Sequence, residues 1–196
     1  VGSGPNYERY SMRVNSDTQL GRFNFGENLY LVHSDENPLF FPGSIGIPGG
    51  RPSLVNDLLQ AAPTIPVYDP NRLGGFGGAD STIHQSITLN VPGINTLIEN
   101  ETQVTRVLAN FYAGYEIIDG LTIKTSLQYD TSSVQDQLFV PKYDLGYFFP
   151  NPTAQLRVGN RNSSSFLIEN TINWKKQFGK HDLNVLFGQT YQENNF

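Results

Sequence analysis

Alternation of apolar and polar residues constrains the fold of this chain more than any other feature. From Val107 to Ile117 every odd-numbered residue is apolar or aromatic, and polar residues such as Asn110 lie between them. The alternation resumes after Asp119 and Gly120, a dipeptide suited to a two-residue type I′ turn. Because successive side chains point to opposite faces of a strand, this segment predicts an antiparallel hairpin with one apolar face.

Two further hairpins follow the same rule. Asn170 is a polar exception on the apolar side of the fifth strand, between Ile168 and Ile172. The connections inside the hairpins are short, whereas those between hairpins are far longer than ordinary loops. We therefore predict strands near 9–18, 22–32, 104–118, 121–130, 163–175 and 182–192, with long loops near 33–103 and 131–162.

The first long loop contains two distinctive stretches. In PSLVNDLLQAAP, apolar residues at helical spacing, an N-cap residue at Ser53 and a stop at Pro63 predict one short helix. In PTIPVYDPNRLGGFGGAD, prolines that favour an extended backbone precede a run of glycines. We expect positive φ or close backbone approach at those glycines, Gly74, Gly75, Gly77 and Gly78.

Periodicity alone leaves two classes open, a soluble β-sandwich and a transmembrane β-barrel, because both have an alternating apolar face. Charged residues make up only 16% of the chain, against about 25% in an ordinary soluble domain. Short turns at one end of the strands, long loops at the other and aromatic residues near both ends are typical of outer-membrane barrels. These aromatic residues are Tyr115, Trp174 and Phe178 near the short turns, and Tyr129 and Tyr191 toward the long loops.

The number of predicted strands is too small for a complete transmembrane barrel. Six strands cannot close a barrel, and a free sheet edge in hydrocarbon would leave backbone hydrogen-bonding groups unpaired. We therefore expect residues 1–196 to be a single segment of a larger transmembrane barrel, all-β, with antiparallel hairpins, long extracellular loops and one short loop helix. The polar strand faces would line the lumen, and the apolar faces would contact lipid.

Composition argues against several other functions. A net charge of -5 without a cluster of Lys or Arg does not suit a nucleic-acid partner. Cysteine is absent and the three histidines are far apart, so we expect no metal site. The GGFGG stretch lacks the Lys-Ser/Thr pair of a phosphate-binding loop, and no serine has the G-x-S-x-G setting of a hydrolase nucleophile. We expect no cofactor, no catalytic residue and no enzymatic activity.

Four stretches resemble, in order and spacing, the barrel of SusC/RagA-type TonB-linked outer-membrane receptors. They are GRFNFGENLYL, PTIPVYDPNRLGGFGGAD, FYAGYEIIDGLTIKTSLQYD and SFLIENTINWKKQFGKHDLNVLFGQTYQ, and together the resemblance covers nearly the whole chain. It implies a segment of a barrel of about 22 strands around a plug, in the outer membrane of a Gram-negative bacterium. The family imports glycan or peptide nutrients beneath a SusD-like surface lipoprotein, with energy delivered through TonB. No TonB box or plug is recognisable in this chain, so the resemblance implies contact with TonB through other parts of the parent protein.

Aromatic residues in the long loops are the candidate contacts for substrate or for the lipoprotein partner. Aromatic faces stack on sugar rings and peptide side chains, and neighbouring Asn and Asp can supply hydrogen bonds. The alternative is that these residues pack the loops against one another. The candidates are five aromatic residues and one neighbouring carboxylate: Tyr68, Phe76, Tyr143, Tyr147 and Phe148, with Asp69. Under the runner-up hypothesis, a soluble β-sandwich module binds carbohydrate through the same loop aromatics.

Overall fold

The computed structural model describes residues 5–38 and 54–196. Its elements in chain order are β1 (Asn6–Leu20), β2 (Phe23–Asn37), α1 (Leu54–Gln60), α2 (Val91–Leu97), β3 (Glu99–Ile118), β4 (Leu121–Val140), β5 (Tyr143–Asp144), β6 (Pro150–Asn151), β7 (Gln155–Phe178) and β8 (His181–Asn195). Six strands form one sheet in the order β1-β2-β3-β4-β7-β8, and β5 pairs with β6. The predicted all-β fold of antiparallel hairpins is confirmed. Neither helix within the described ranges is long and apolar enough to cross a bilayer.

Each hairpin of the sheet turns through two residues, one of them a glycine with positive φ. Gly21 and Gly179 come first in their turns, each with φ of 62°, whereas Gly120 comes second in its turn with φ of 84°. A type I′ turn needs positive φ at both central residues, and Asp119 does not have it. The two-residue turn predicted at Asp119 and Gly120 is therefore confirmed, but its assignment to type I′ is wrong.

The strands extend beyond the stretches in which side chains alternate. β3 and β4 have 20 residues each, and β7 has 24. The outer part of β4 includes TSSVQDQ at 131–137, where all but one residue is polar. Backbone hydrogen bonds hold such segments in the sheet without any apolar face, so the predicted strands stop short of the observed ones.

The chain divides into two compact units. The wall unit comprises Arg9–Ser34, Val104–Val134 and Asn160–Phe196, and it contains most of the six-stranded sheet. The loop unit comprises Val1–Glu8, Asp35–Gln103 and Gln135–Gly159, and it contains both helices and the β5–β6 pair. The described parts of the long connections therefore fold into a body with its own core.

The wall unit has an apolar face that is exposed. This face is formed by even-numbered residues of β1 and β7 and by odd-numbered residues of the other four strands. On it, Ile172 lies opposite Phe187 and Trp174 lies opposite Val185. Phe187 is 67% exposed. Within residues 5–38 and 54–196, no second layer covers these side chains, as the second sheet of a β-sandwich would.

Asn170 interrupts the apolar face, and its neighbours explain why a polar side chain is tolerated there. Thr125 Oγ1 donates to Asn170 Oδ1 at 2.9 Å, and Asn170 Nδ2 donates to Gln189 Oε1 at 3.1 Å. These side chains form a hydrogen-bonded row across β4, β7 and β8. The amide of Asn170 is therefore bonded at both its oxygen and its nitrogen, which removes most of the cost of a polar group on an apolar face.

The loop unit has a hydrophobic core that sequence periodicity did not reveal. Ile94 of α2 and Leu145, which follows β5, are fully buried at 0% exposure. The other members come from segments far apart in the chain: Phe76, Leu89, Val91, Ile98, Val140, Tyr143 and Phe149. Burial of these side chains stabilises the unit by about 1.5–3 kcal/mol for each large apolar residue.

Helix α1 is confirmed where the helical spacing predicts it, but its apolar side chains at 55, 58 and 59 do not face the core. Its buried residue is Asp57, whose Oδ1 accepts a hydrogen bond from the backbone N–H of Leu89 at 3.3 Å. The predicted N-cap, Ser53, lies outside the described residues. The exposed residues of α1 include Val55, Leu58 and Leu59.

Candidate functional site

The six loop residues predicted to contact substrate or partner all lie in the loop unit, but the structure gives them different environments. Phe76 and Tyr143 are buried at 8% and 3% exposure as members of the core, and burial raises the pKa of the Tyr143 phenol. Tyr68, Tyr147 and Phe148 are exposed. Of the five aromatic candidates, only Tyr68, Tyr147 and Phe148 are therefore available for contact in this structure.

The exposed aromatics are each held by another ring. Tyr68 packs at a tilt against the buried Phe76, with 5.4 Å between ring centroids, and the two residues also pair in an isolated antiparallel bridge. Tyr147 meets Phe148 edge to face at 5.0 Å. Ring pairs of this kind fix the orientation of an aromatic face before a ligand arrives.

Asp69, the remaining candidate, belongs to a small charge network. Its Oδ1 accepts from the backbone N–H of Asn71 at 3.0 Å, and its Oδ2 lies 3.5 Å from Arg72 Nε. Arg72 Nη1 also donates to Asp144 Oδ1 at 2.9 Å. Two carboxylates thus share one guanidinium, and the network ties the glycine-rich stretch to β5.

The glycines of that stretch have the backbone geometry that the sequence predicts. Gly74 and Gly75 have φ of 97° and 79°. A Cβ at Gly77 would overlap the carbonyl oxygen of Pro66, and a Cβ at Gly78 would overlap that of Leu145. The prediction of positive φ or close backbone approach is confirmed at all four positions.

Asn90 joins the glycine-rich stretch to α2. Its Oδ1 accepts from Gly93 N at 2.9 Å as the N-cap of the helix, and its Nδ2 donates to the carbonyl oxygens of Val67 and Gly77, both at 2.8 Å. The VPGINTL segment that forms α2 contains Pro, Gly and β-branched residues, which are weak helix formers. Sequence reasoning missed this helix because its stability comes from the cap and from burial of Ile94.

Asp80 closes the stretch with a turn that its carboxylate organises. Its Oδ1 accepts from Thr82 Oγ1 at 2.6 Å, from Thr82 N at 2.7 Å and from Ile83 N at 3.0 Å. These hydrogen bonds, the one from the Thr82 hydroxyl first, favour the ionised carboxylate and lower the pKa of Asp80 from 3.8 to about 2.

The polar face of the wall unit, opposite its apolar face, carries a cross-strand ion pair. Arg106 Nε donates to Asp130 Oδ1 at 2.9 Å, and Arg106 Nη2 donates to Asp130 Oδ2 at 2.5 Å. The pair borders a cavity of about 260 Å³, which is also lined by Ser132, Ser163, Ser164, Ser165, Asn194 and Phe196. Hydroxyl and amide groups around a fixed charge pair suit a hydrophilic ligand.

Three further contacts on the polar face place cations against tyrosines. Lys124 Nζ lies 4.0 Å from the centroid of the Tyr112 ring. Arg13 Cζ lies 4.9 Å from the centroid of the Tyr30 ring, and Arg9 Nη2 donates to the Tyr30 hydroxyl at 2.6 Å. Sequence reasoning did not single out these residues. The sequence shows only Arg and Lys at alternate positions of neighbouring strands. Which tyrosines these cations contact depends on the register of the strands.

Within the described residues, no group of three or more His, Cys, Asp or Glu could hold a metal ion.

Comparison with known proteins agrees with this architecture. No family profile matches the chain. The chain is 27% identical over 189 residues to TonB-dependent receptor P3 of Formosa agariphila. The aligned residues make up 96% of this chain and 18% of the relative. Among solved structures, the RagAB peptide importer in its closed-closed state matches with a TM-score of 0.66 and 18% identity, over 97% of this chain and 20% of the other. Its open-open state matches with the same TM-score and 17% identity, over 97% of this chain and 20% of the other.

These findings confirm the resemblance to SusC/RagA-type TonB-linked receptors that the sequence indicates. The structural matches establish the fold, which is similar to that of a part of the RagAB importer. The chain spans about a fifth of the length of the proteins it matches.

Proposed function

We propose that this chain is a segment of an outer-membrane TonB-dependent transporter that imports glycans or peptides. The observation that carries the proposal is the exposed apolar face of a six-stranded antiparallel sheet, in a chain similar to a TonB-dependent receptor. In lipid such a face loses no stability through exposure, whereas in water it would drive aggregation. The proteins it resembles are named as a receptor and an importer, neither of which is an enzyme.

Under this proposal the two faces of the wall unit have different surroundings. The apolar face contacts lipid, and the polar face lines the lumen around a plug supplied by another part of the receptor. Aromatic clusters near the short turns support this orientation, with Phe23 and Tyr115 at 4.4 Å and Trp174 and Phe178 at 6.5 Å between ring centroids. Aromatic girdles of this kind lie at the bilayer interface.

The loop unit would lie on the extracellular side and serve two contacts. Tyr68, Tyr147 and Phe148 offer oriented aromatic faces to substrate. The exposed apolar residues of α1 offer a surface to a SusD-like surface lipoprotein, since a helix with outward-facing Leu58 and Leu59 suits a protein partner better than water. Energy would reach the transporter through TonB.

Uptake by cells that carry the intact receptor tests the proposal. We expect import of an oligosaccharide or peptide mixture to require both the receptor and TonB. Import that continues at the same rate without TonB would contradict it. The alternative, a soluble β-sandwich that binds carbohydrate, predicts instead a monomeric protein in plain buffer, and the uncovered apolar face argues against it.

A matched pair of variants tests the lipoprotein contact. Leu59→Asp places a charge on the exposed face of α1, where we expect it to reduce co-purification of the surface lipoprotein. Thr64→Asp adds the same charge at an exposed position outside the helix and should leave co-purification unchanged. Equal co-purification of both variants would remove α1 from the proposed interface.

A further inference from the structure

We propose that Arg9 and Arg13, held by Tyr30, form a subsite for an acidic oligosaccharide on the polar face of the wall unit. This inference rests on the proposed import function and names the substrate class that the lumen would accept.

One tyrosine organises both guanidinium groups. Arg9 donates from Nη2 to the Tyr30 hydroxyl, and the Arg13 guanidinium lies over the Tyr30 ring. Arg9 and Arg13 are both odd-numbered residues of β1 and therefore project to the same face. Both are exposed. Two like charges are thus kept close together on one wall, in a chain whose net charge is -5.

Three other arginines of the described residues, Arg22, Arg72 and Arg106, each have a carboxylate partner. Arg22 lies 3.2 Å from Asp119, and Arg106 is bonded to Asp130. No ion pair joins Arg9 or Arg13 to a carboxylate of the described residues, and Asp17, the acidic residue of β1 on the same face, pairs with neither. Their positive charge is therefore not neutralised within the part of the chain that the structure describes.

A paired, exposed guanidinium site suits a planar anion. Each guanidinium can donate two parallel hydrogen bonds to a carboxylate or sulfate, and the charge on the anion strengthens those bonds. Tyr30 already orients both groups, so less side-chain entropy is lost when the anion binds.

The surroundings favour a sugar over a peptide as the carrier of that anion. Short polar side chains flank the two arginines on the same face, namely Ser11, Asn15 and Asn28. Amide and hydroxyl groups of this size hydrogen-bond to sugar hydroxyls, whereas a peptide would call for apolar pockets that receive its side chains. The geometry thus points to a uronic-acid or sulfated oligosaccharide.

Binding to the intact receptor, purified in detergent, tests the subsite. The probes are hexagalacturonate as the acidic sugar, maltohexaose as the neutral sugar and hexaglutamate as the acidic peptide. The variant is Arg9→Gln with Arg13→Gln. The control is Arg22→Gln with Lys180→Gln, which removes the same charge at the short-turn end of the strands. A third variant, Arg9→Lys with Arg13→Lys, keeps the positive charge but loses the two parallel hydrogen-bond donors of each guanidinium.

We expect hexagalacturonate to bind more tightly than maltohexaose and its Kd to rise about tenfold for each arginine removed. The control should leave Kd unchanged, and the lysine variant should recover only part of the loss. Affinity should also fall with rising salt concentration.

Three results would overturn the inference. They are equal affinity for the acidic and neutral sugars, loss of binding for all probes alike in the arginine variant, or arginine-dependent binding of hexaglutamate alone. The second result would show that the arginines neutralise carboxylates elsewhere in the receptor. In each case, TonB-dependent import of another nutrient would leave the proposed function standing.

Discussion

Single polar side chains hold the loop unit together at the points where backbone segments cross. Asn90 uses its oxygen to cap α2 and its nitrogen to bind two carbonyl oxygens of the glycine-rich stretch. A side chain with one polar atom could not make both sets of contacts. The neighbouring glycines let the backbones approach closely enough for these bonds to form.

Replacement of Asn90 tests how much this junction contributes. Asn90→Ala removes the cap and leaves two carbonyl groups without their donor, so we expect the free energy of opening the loop unit to fall by about 2–4 kcal/mol. Hydrogen exchange of the α2 amides in the intact receptor measures that free energy. Asn90→Ser keeps a capping oxygen and loses the two donated bonds without placing a charge against the carbonyl oxygens, so its opening free energy should lie between those of wild type and Asn90→Ala. Wild-type protection in Asn90→Ser would show that the donated bonds contribute nothing.

Asp80 makes the turn that begins at residue 80 sensitive to acid. Its pKa in the folded chain is about 2, below the ordinary value of 3.8. A lowered folded pKa stabilises the fold above the unfolded pKa, and that stabilisation is lost as the pH falls through the folded value. We therefore expect peptic cleavage near 80–85 to accelerate as the pH drops from about 4 to about 2. Asp80→Asn cannot titrate, so the ratio of the wild-type cleavage rate to that of Asp80→Asn, which cancels the pH dependence of pepsin itself, should rise as the pH drops; a constant ratio would contradict the assignment.

At the scale of strands, the two faces of the sheet differ in what they tolerate. The pairs Arg106 with Asp130 and Tyr112 with Lys124, together with the Ser126 hydroxyl bonded to Asn110, keep β3 and β4 in one register on the polar face. On the other face the same strands expose apolar side chains. A one-residue shift would exchange the faces, so the polar contacts also protect the apolar surface.

A charge scan across one strand tests the assignment of faces. Phe111 is 54% exposed on the apolar face, and Asn110 lies next to it on the polar face. If Phe111 lies near the bilayer midplane, Phe111→Arg should reduce the folding free energy of the intact receptor in lipid by about 2–4 kcal/mol. Asn110→Arg should cost far less, since its side chain would remain in a polar lumen. Equal effects in a urea titration would show that the apolar face does not contact lipid.

Replacement of Asn170 tests whether its hydrogen bonds to Thr125 and Gln189 stabilise the sheet. Asn170→Leu leaves Thr125 and Gln189 without their shared partner, so we expect a loss of about 1–3 kcal/mol in the same titration. Joint replacement of the row by Val at 125, Leu at 170 and Leu at 189 removes the unpaired groups and should recover stability. A single Asn170→Leu variant as stable as wild type would indicate that the row contributes no hydrogen-bond energy.

At the scale of the whole molecule, the sheet formed by the described residues has two unpaired edges, β1 and β8. Unpaired strand edges and an exposed apolar face together promote association in water. We expect the isolated 196-residue chain to aggregate in plain buffer and to need detergent to remain dispersed. Size-exclusion chromatography with and without detergent measures this, and a folded monomer in plain buffer would contradict the membrane assignment.

Sequence patterns determined the hairpins, the two-faced strands and the resemblance to TonB-linked receptors. Side-chain alternation and turn glycines are local, so they survive in one dimension. Strand ends could not be predicted, because polar segments such as 131–137 pair through backbone groups alone. Helix α2 was missed for a related reason, since its cap and burial depend on residues distant in the chain.

Tertiary structure decided which side chains are available for contact. Phe76 and Tyr143 share their residue types with Phe148 and Tyr147, yet the first two are buried and the last two exposed. Arg9 and Tyr30 are separated by 21 positions and meet only because β1 and β2 are neighbours in the sheet. Contacts between strands and burial in a shared core depend on how distant segments pack, and no local pattern of residues records that packing.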